Sequence, residues 1–245
     1  MSEDFIIKHS GEVLEITINR PERGNGMSDP MIVELADLIE REGDKVRLIV
    51  LRGAGADFCV GRSSMGGARP AGLDALQTRA VSDHVFRCYG IFRKCSAPIL
   101  AVVQGQAAGF GFALAAAADI TIAADTARFS IPEFGHGIMP TMVMSSMIDR
   151  VPMKALMYNV WTCKVISAEK AMQTGAVSEV VPEAELEAAA QAFIERMTLS
   201  PRPAVLAVKE YGVNAQPIDM GKAVSFARSL HALVNSAGEM KRGHK

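Results

Sequence analysis

The sequence is short of the features that mark several large classes of protein. Its four cysteines, Cys59, Cys88, Cys95 and Cys163, show neither CxxC spacing nor histidines at matching intervals. Neither a zinc site nor a disulfide framework is written there, and reduced thiols are expected. No apolar run reaches the ~18 residues of a membrane span, and "MSEDFIIKHS" is acidic where a signal peptide would be basic. A soluble cytoplasmic protein with no membrane partner is the expectation. Charge of one sign is also missing: 26 Lys and Arg face 27 Asp and Glu, a net charge of −1. That balance gives no general electrostatic reason for binding nucleic acid. A P-loop is excluded by the absence of GK[ST]. "GAGADF" and "GFGFAL" both stop short of G-x-G-x-x-G, and the first runs into a loop where a dinucleotide motif needs a helix.

What is present is length and alternation. A chain of 245 residues is long enough for one large domain, or a domain with a small appendage, burying roughly 70 to 75% of its unfolded surface. "VLEITINRP" alternates as a half-buried strand does, and "VRLIVLRG" and "PILAVVQG" are β-branched runs ending in glycine. Between the first two, "SDPMIVELADLIEREG" predicts a helix capped by Ser28 or Asp29, with Pro30 in its first turn and Gly43 as its stop. A second helix is predicted from Leu73 to about Cys95, after the irregular "GAGADFCVGRSSMGGARPAG". Loops of that length are usually functional or disordered. From Ala168 onward four helical stretches follow, and the charged tail "EMKRGHK" is expected to fray. No internal repeat is visible.

Chemistry concentrates at the glycine-rich ends of two strands. In "VVQGQAAGFGFALAAAADITIA" the strand passes Gly105, Gly109 and Gly111 into an apolar helix. The first N–H groups of a helix have no partner inside it, and small residues leave them open to a ligand oxygen. "FCVGRSSMGG" offers a second such stretch, and parallel pairing of the two strand ends would aim two N–H groups at one carbonyl. Downstream, "ARFSIPEFGHGIMP" holds Glu133 among apolar or small residues. Burial would raise its pKa, as a general base needs. His84 and His136 are secondary acid–base candidates. Cys59 lacks an activating base, and Ser63 and Ser64 lack the G-x-S-x-G context of a nucleophile.

Together "NRPERGNGMS", "ADFCVGRSS", "APILAVVQGQAAGFGFALAAAADITIAADTARFSIPEFGHGIMP" and "SAEKAMQTGAVSEVVP" resemble the crotonase, or enoyl-CoA hydratase/isomerase, superfamily over nearly the whole chain. The resemblance implies an α/β fold, a crotonase-like spiral of ββα units with a C-terminal helical portion. Residues 1–190 would form the spiral core, and 191–245 a helical segment for trimerisation or for covering the site. It implies a homotrimer or dimer of trimers acting on an acyl-CoA thioester. No cofactor is implied beyond the coenzyme A of the substrate, and no metal.

Carried onto this chain, the oxyanion donors are the backbone N–H groups of Arg62 and Phe110. Gly61, Ser63, Gly109 and Gly111 surround the substrate, Arg23 faces a CoA phosphate, and Glu133 is the acid/base. The family's hydratases hold water between two glutamates, one of which falls here at Ala113, and Ser63 stands where Asp is common. With one carboxylate left, double-bond isomerisation or another single-base proton transfer is favoured. Hydration would need His84, His136 or Asp83 as a substitute. Thioester hydrolysis, decarboxylation and a non-catalytic acyl-CoA binding subunit are the remaining alternatives. The loop from Gly61 to Gly72 and the helix after it would shape the acyl pocket.

Overall fold

The computed structural model describes residues 3–63 and 72–240. Its first half is strand-led: β1 (Phe5–Ser10), β2 (Val13–Ile18), α1 (Asp29–Glu42), β3 (Leu48–Gly53), α2 (Ala75–Ala80), α3 (Asp83–Lys94), β4 (Ile99–Val103), β5 (Gln106–Ala108) and α4 (Phe110–Ala117). There follow β6 (Ile120–Ala124), β7 (Arg128–Ser130), α5 (Thr141–Met147), α6 (Met153–Thr162), β8 (Ile166–Ser167), α7 (Ala168–Gln173), β9 (Glu179–Val181), α8 (Leu186–Leu199), α9 (Arg202–Ala215) and α10 (Met220–Ser236).

The larger sheet has the order β1-β2-β3-β4-β6-β9, parallel throughout except for the β1–β2 hairpin. β3 and β4 face apolar layers on both sides, which is why they read as continuous β-branched runs and not as alternation. Beside this sheet runs a second ladder of short pairings. Met27 bridges Arg62, Cys59 bridges Ala107, β5 pairs in parallel with β7, and β7 is antiparallel to β8. Each winding of the chain therefore supplies one strand to the large sheet, then a short extended segment to the second ladder, then a helix. This is the spiral of ββα units that the resemblance implied.

The predicted strands at Val13, Leu48 and Ile99 and the helix over Asp29–Glu42 are found where the sequence placed them. The single helix predicted from Leu73 to Cys95 is instead two, broken at Val81–Ser82. Asp74 and Gln77 form a reciprocal capping box that starts α2, while Ser82, with ψ near 5°, starts α3 on a new axis. Among the residues whose burial is described, α3 has a buried face and α2 has none, so the two halves answer to different packing.

α4 is buried at every one of its eight positions and packs against α3, α5 and β4. Its alanines let those neighbours approach closely. At the C-terminus a division at 190/191 would cut α8, whose Leu186, Ala190 and Ile194 are all buried. The chain leaves the body only after α8. α9 and α10 pack on each other, with the Tyr211 and Phe226 rings stacked at 5.8 Å, and α10 has a single buried residue, Ala223. α9 is tied to the body by Lys209, whose ammonium is 2.9 Å from the Asp119 carboxylate and donates to the carbonyls of Phe92 and Ala97. Among the described residues no helix is long and apolar enough to cross a membrane. The tail residues 241–245, expected to fray, lie outside the described residues.

Candidate active site

Three consecutive windings deliver the three expected groups. Arg62 ends the segment that follows β3, Phe110 opens the helix after β5, and Glu133 stands just past β7. Because these segments are neighbours in the second ladder, their ends converge.

The direction of the Arg62 N–H follows from the bridge to Met27. Met27 N donates to Gly61 O and Ser63 N donates to Met27 O, both at 2.9 Å. Peptide groups alternate in direction along an extended segment, so the Arg62 N–H points away from Met27. The carbonyl of Ala108 lies 3.4 Å from where a Cβ on Gly61 would be. Gly61 holds φ at +120°, a backbone that strongly favours glycine. Phe110 is the first residue of α4, and Gly109 before it turns at φ +50° while its own N–H donates to Ser130 O at 2.9 Å. Neither the Arg62 nor the Phe110 N–H donates to a backbone acceptor among the described residues.

The glycines act differently from the sequence-based expectation that they clear space for a ligand. A Cβ on Gly111 would lie 2.0 Å from the Cys59 carbonyl oxygen, and one on Gly109 would lie 2.5 Å from Glu133 Oε1. What they admit is protein: the neighbouring segment in one case, the carboxylate in the other. Close approach of backbone layers is the common cause.

Glu133 begins a 3-10 turn after Pro132 and is 4% exposed. Its carbonyl accepts from Ile138 N at 2.9 Å, which closes the turn. Its Oε2 has no hydrogen-bond partner among the described residues. Burial pushes its pKa above the usual carboxylate range, against the opposing effects of its own backbone N–H and of His136. It lines a cavity of about 20 Å³ with Arg62, Val85, Tyr89, Phe110 and Met142 among its neighbours. That is room for about one water in the resting protein.

The secondary candidates do not join this cavity. His136 and Asp83 are exposed. His84 Nε2 is 3.3 Å from Asp29, and the Arg62 guanidinium is 2.7 Å from the same carboxylate. The Cys59 thiol, fully buried, has its pKa pushed up to about 12 and is no nucleophile at neutral pH. Ser63 is exposed, and Arg23, whose side chain is 67% exposed, sits 3.9 Å from Glu22. Ala113 is fully buried within α4. Of the loop expected to shape the acyl pocket, residues 64–71, Ser64 included, lie outside the described residues. Among the described residues no three His, Cys, Asp or Glu side chains gather as metal ligands do.

The sequence reading missed two features. Tyr89 lines the cavity, its ring 5.3 Å from that of Phe110. A signal existed: Val85 and Tyr89 are four apart on one face of a helix, which places a polar tip in an apolar layer. The second is the Arg62 side chain, which no local pattern ties to Asp29.

The model of the family described as enoyl-CoA hydratase/isomerase matches residues 8–244. The chain is 31% identical over 204 residues to hydroxycinnamoyl-CoA hydratase-lyase of Pseudomonas fluorescens, covering 80% of this chain and 73% of that one. It is 27% identical over 248 residues to crotonyl-CoA hydratase of Syntrophomonas wolfei, covering 98% and 93%. A solved structure, described as an enoyl-CoA hydratase from Thermobifida fusca YX in complex with CoA, superposes with a TM-score of 0.84 at 28% identity, covering 94% of this chain and 92% of that one.

Proposed function

We propose, from the premise that this chain belongs to the enoyl-CoA hydratase/isomerase family, that it moves a double bond, or performs another single-base proton transfer, on an acyl-CoA thioester. Glu133 is the acid/base, and the N–H groups of Arg62 and Phe110 receive the thioester oxygen as it becomes an enolate. In a 3-enoyl-CoA the ionised carboxylate removes a proton from C2. The C–H electron pair delocalises over the chain as a dienolate, with charge on the thioester oxygen, and the same carboxyl group returns the proton at C4. The product is the 2-enoyl thioester, and the protein ends as it began.

The observation that carries this reading is the single buried carboxylate on the cavity, with Ala113 where a second would stand. Addition of water needs one group to activate water and another to protonate carbon, whereas migration of a double bond needs one group to do both in turn. A buried carboxylate with a merely structural role would have its oxygens hydrogen-bonded; the free Oε2 of Glu133 speaks for a reacting partner. Each oxyanion donor is worth about 3 kcal/mol of transition-state stabilisation. Arg23, an exposed side chain, is assigned to a CoA phosphate, and the reaction calls on no cofactor beyond that coenzyme. Hydration is the competing reading, favoured by the names of the two relatives.

The test is deuterium wash-in at C2 of butyryl-CoA and 3-hexenoyl-CoA in heavy water, followed by mass. Wild type exchanges and converts the 3-enoyl ester; Glu133→Gln loses at least about 100-fold in both. Exchange undiminished in Glu133→Gln would overturn the assignment.

A homotrimer, or a dimer of trimers, belongs to the same proposal. Met220 and Leu233 on α10 and Val208 on α9 are 79%, 69% and 74% exposed, an apolar surface that a neighbouring subunit would cover. Sedimentation equilibrium should return a mass three or six times 26.2 kDa.

A further inference from the structure

Two charged side chains reach the small cavity, and the proton transfer proposed above uses the charge of only one of them. Among the described residues that line it, Arg62 is the one permanent cation and Glu133 the one carboxylate. A guanidinium beside a buried carboxylate ordinarily pairs with it, because each then recovers part of what it lost on leaving water. Here the two do not pair. Glu133 Oε2 has no hydrogen-bond partner among the described residues, and the groups that oppose its raised pKa are its own backbone N–H and His136. Arg62 is nevertheless close by. Burial above all raises the pKa of Tyr89, on the same wall, with Cys88 and Glu133 adding to the rise and Arg62 opposing it.

The guanidinium is drawn the other way, out to Asp29. Its Nη2 lies 2.7 Å from Asp29 Oδ1, while its buried Nε has no partner among the described residues. Asp29 is the first residue of α1, where the unpaired N–H groups of the first turn favour a negative charge. His84, in the first turn of α3, brings Nε2 to 3.3 Å from the same oxygen. The backbone of Arg62 is held by the same short segment, through its bridge to Met27. Attachment at Met27 and at Asp29 together fixes where residue 62 sits and which way its side chain leaves. A carboxylate that did pair with the guanidinium would be a weaker base, with fewer free lone pairs for the proton of the substrate.

We propose that Asp29 is a positioning residue: its carboxylate holds the Arg62 guanidinium at the start of α1, so that the cation does not pair with Glu133 and the base keeps an oxygen free for the substrate. The inference rests on the acyl-CoA reading above, in which Glu133 is that base. Asp29 acts through Arg62 and touches no reacting atom.

The experiment is a pair of mutant cycles in which Arg62→Met removes the cation and keeps the peptide N–H. The first reads melting temperature at pH 7. Glu133→Gln should raise it in the wild-type background. In Asp29→Ala the guanidinium turns to Glu133, so that rise should shrink at least about twofold or reverse, and adding Arg62→Met should restore it. The second reads C2 wash-in on butyryl-CoA against pH. Asp29→Ala should lose about tenfold or more at pH 7, with its acid limb moved to lower pH, and in the Arg62→Met background the same substitution should change neither. A Glu133→Gln rise untouched by Asp29→Ala would overturn the proposal. So would an equal loss of exchange with and without the Arg62 cation, which is what a merely structural residue at a helix end produces. Absence of wash-in from wild type counts against the enolate reading, and the melting cycle still decides the role of Asp29.

Discussion

The Glu133 carboxylate rests against Gly109: a Cβ on that glycine would lie 2.5 Å from Oε1. One residue thus turns the chain so that the Phe110 N–H opens α4 and also leaves the space that the carboxylate fills. The two halves of the proposed machinery, oxyanion donor and base, share a wall.

Gly109→Ala should therefore damage both halves. The substituted residue would be strained at φ +50°, and its methyl group would displace the carboxylate. A loss of about 100-fold or more in C2 exchange is expected, with far-UV circular dichroism retained. Exchange within threefold of wild type would show that Glu133 does not act from this position.

The raised pKa of Glu133 sets the sign of two pH effects. As a base the group must be ionised, so kcat/KM should fall on the acid side with a midpoint above the ordinary 4.5 of a glutamate. In stability the direction is opposite. The folded state holds this proton to higher pH than the unfolded chain, so the group's contribution is fully favourable below the unfolded pKa and is lost as pH rises through the folded value. Glu133→Gln should accordingly be more stable than wild type at pH 7, with the gap narrowing toward pH 4. Thermal melts across that range measure it, and a gap that widens on acidification would contradict the assignment.

Ala113→Glu supplies the missing carboxylate one turn into α4. If its absence limits hydration, the variant should hydrate 2-enoyl-CoA at least about tenfold faster than wild type. It should also melt lower, because position 113 is fully buried. An unchanged hydration rate in a folded variant would place the limit elsewhere.

Lys209 makes a clear stability target outside the site. Its side chain is 4% exposed and its ammonium is met by Asp119 and two carbonyls. Lys209→Met leaves the half-buried Asp119 with only Arg150 and the Ile99 N–H as partners among the described residues and should cost about 1 to 3 kcal/mol, read by urea unfolding. A variant as stable as wild type would show that α9 is held by its apolar contacts alone.

Much of the fold was legible because it rests on local patterns. Strand alternation, the Ser28 to Gly43 helix and the glycine-punctuated strand ends are each written within a dozen residues. The break of the predicted Leu73–Cys95 helix was not, since both halves carry helical residues and only packing separates α2, whose described side chains are exposed, from α3, which has a buried face. The site divided in the same way. Arg62, Phe110 and Glu133 were marked by glycine and proline in their own segments, whereas Tyr89 had no such mark.

By itself the sequence determined the strands at Val13, Leu48 and Ile99, the helix between the first two and the glycine turns at Gly61 and Gly109, because turn chemistry and hydrophobic period are properties of neighbours along the chain; the ββα spiral and the place of a second carboxylate came from the family resemblance. Tertiary structure alone decided which atoms meet. It set Glu133 against Gly109 and Cys59 beneath Gly111, it took the side chains of His84 and Arg62 to Asp29, and it brought Tyr89 to the cavity. Those pairings join residues from different windings of the spiral, where distance is set by how closely backbone layers pack, a quantity that no local pattern contains.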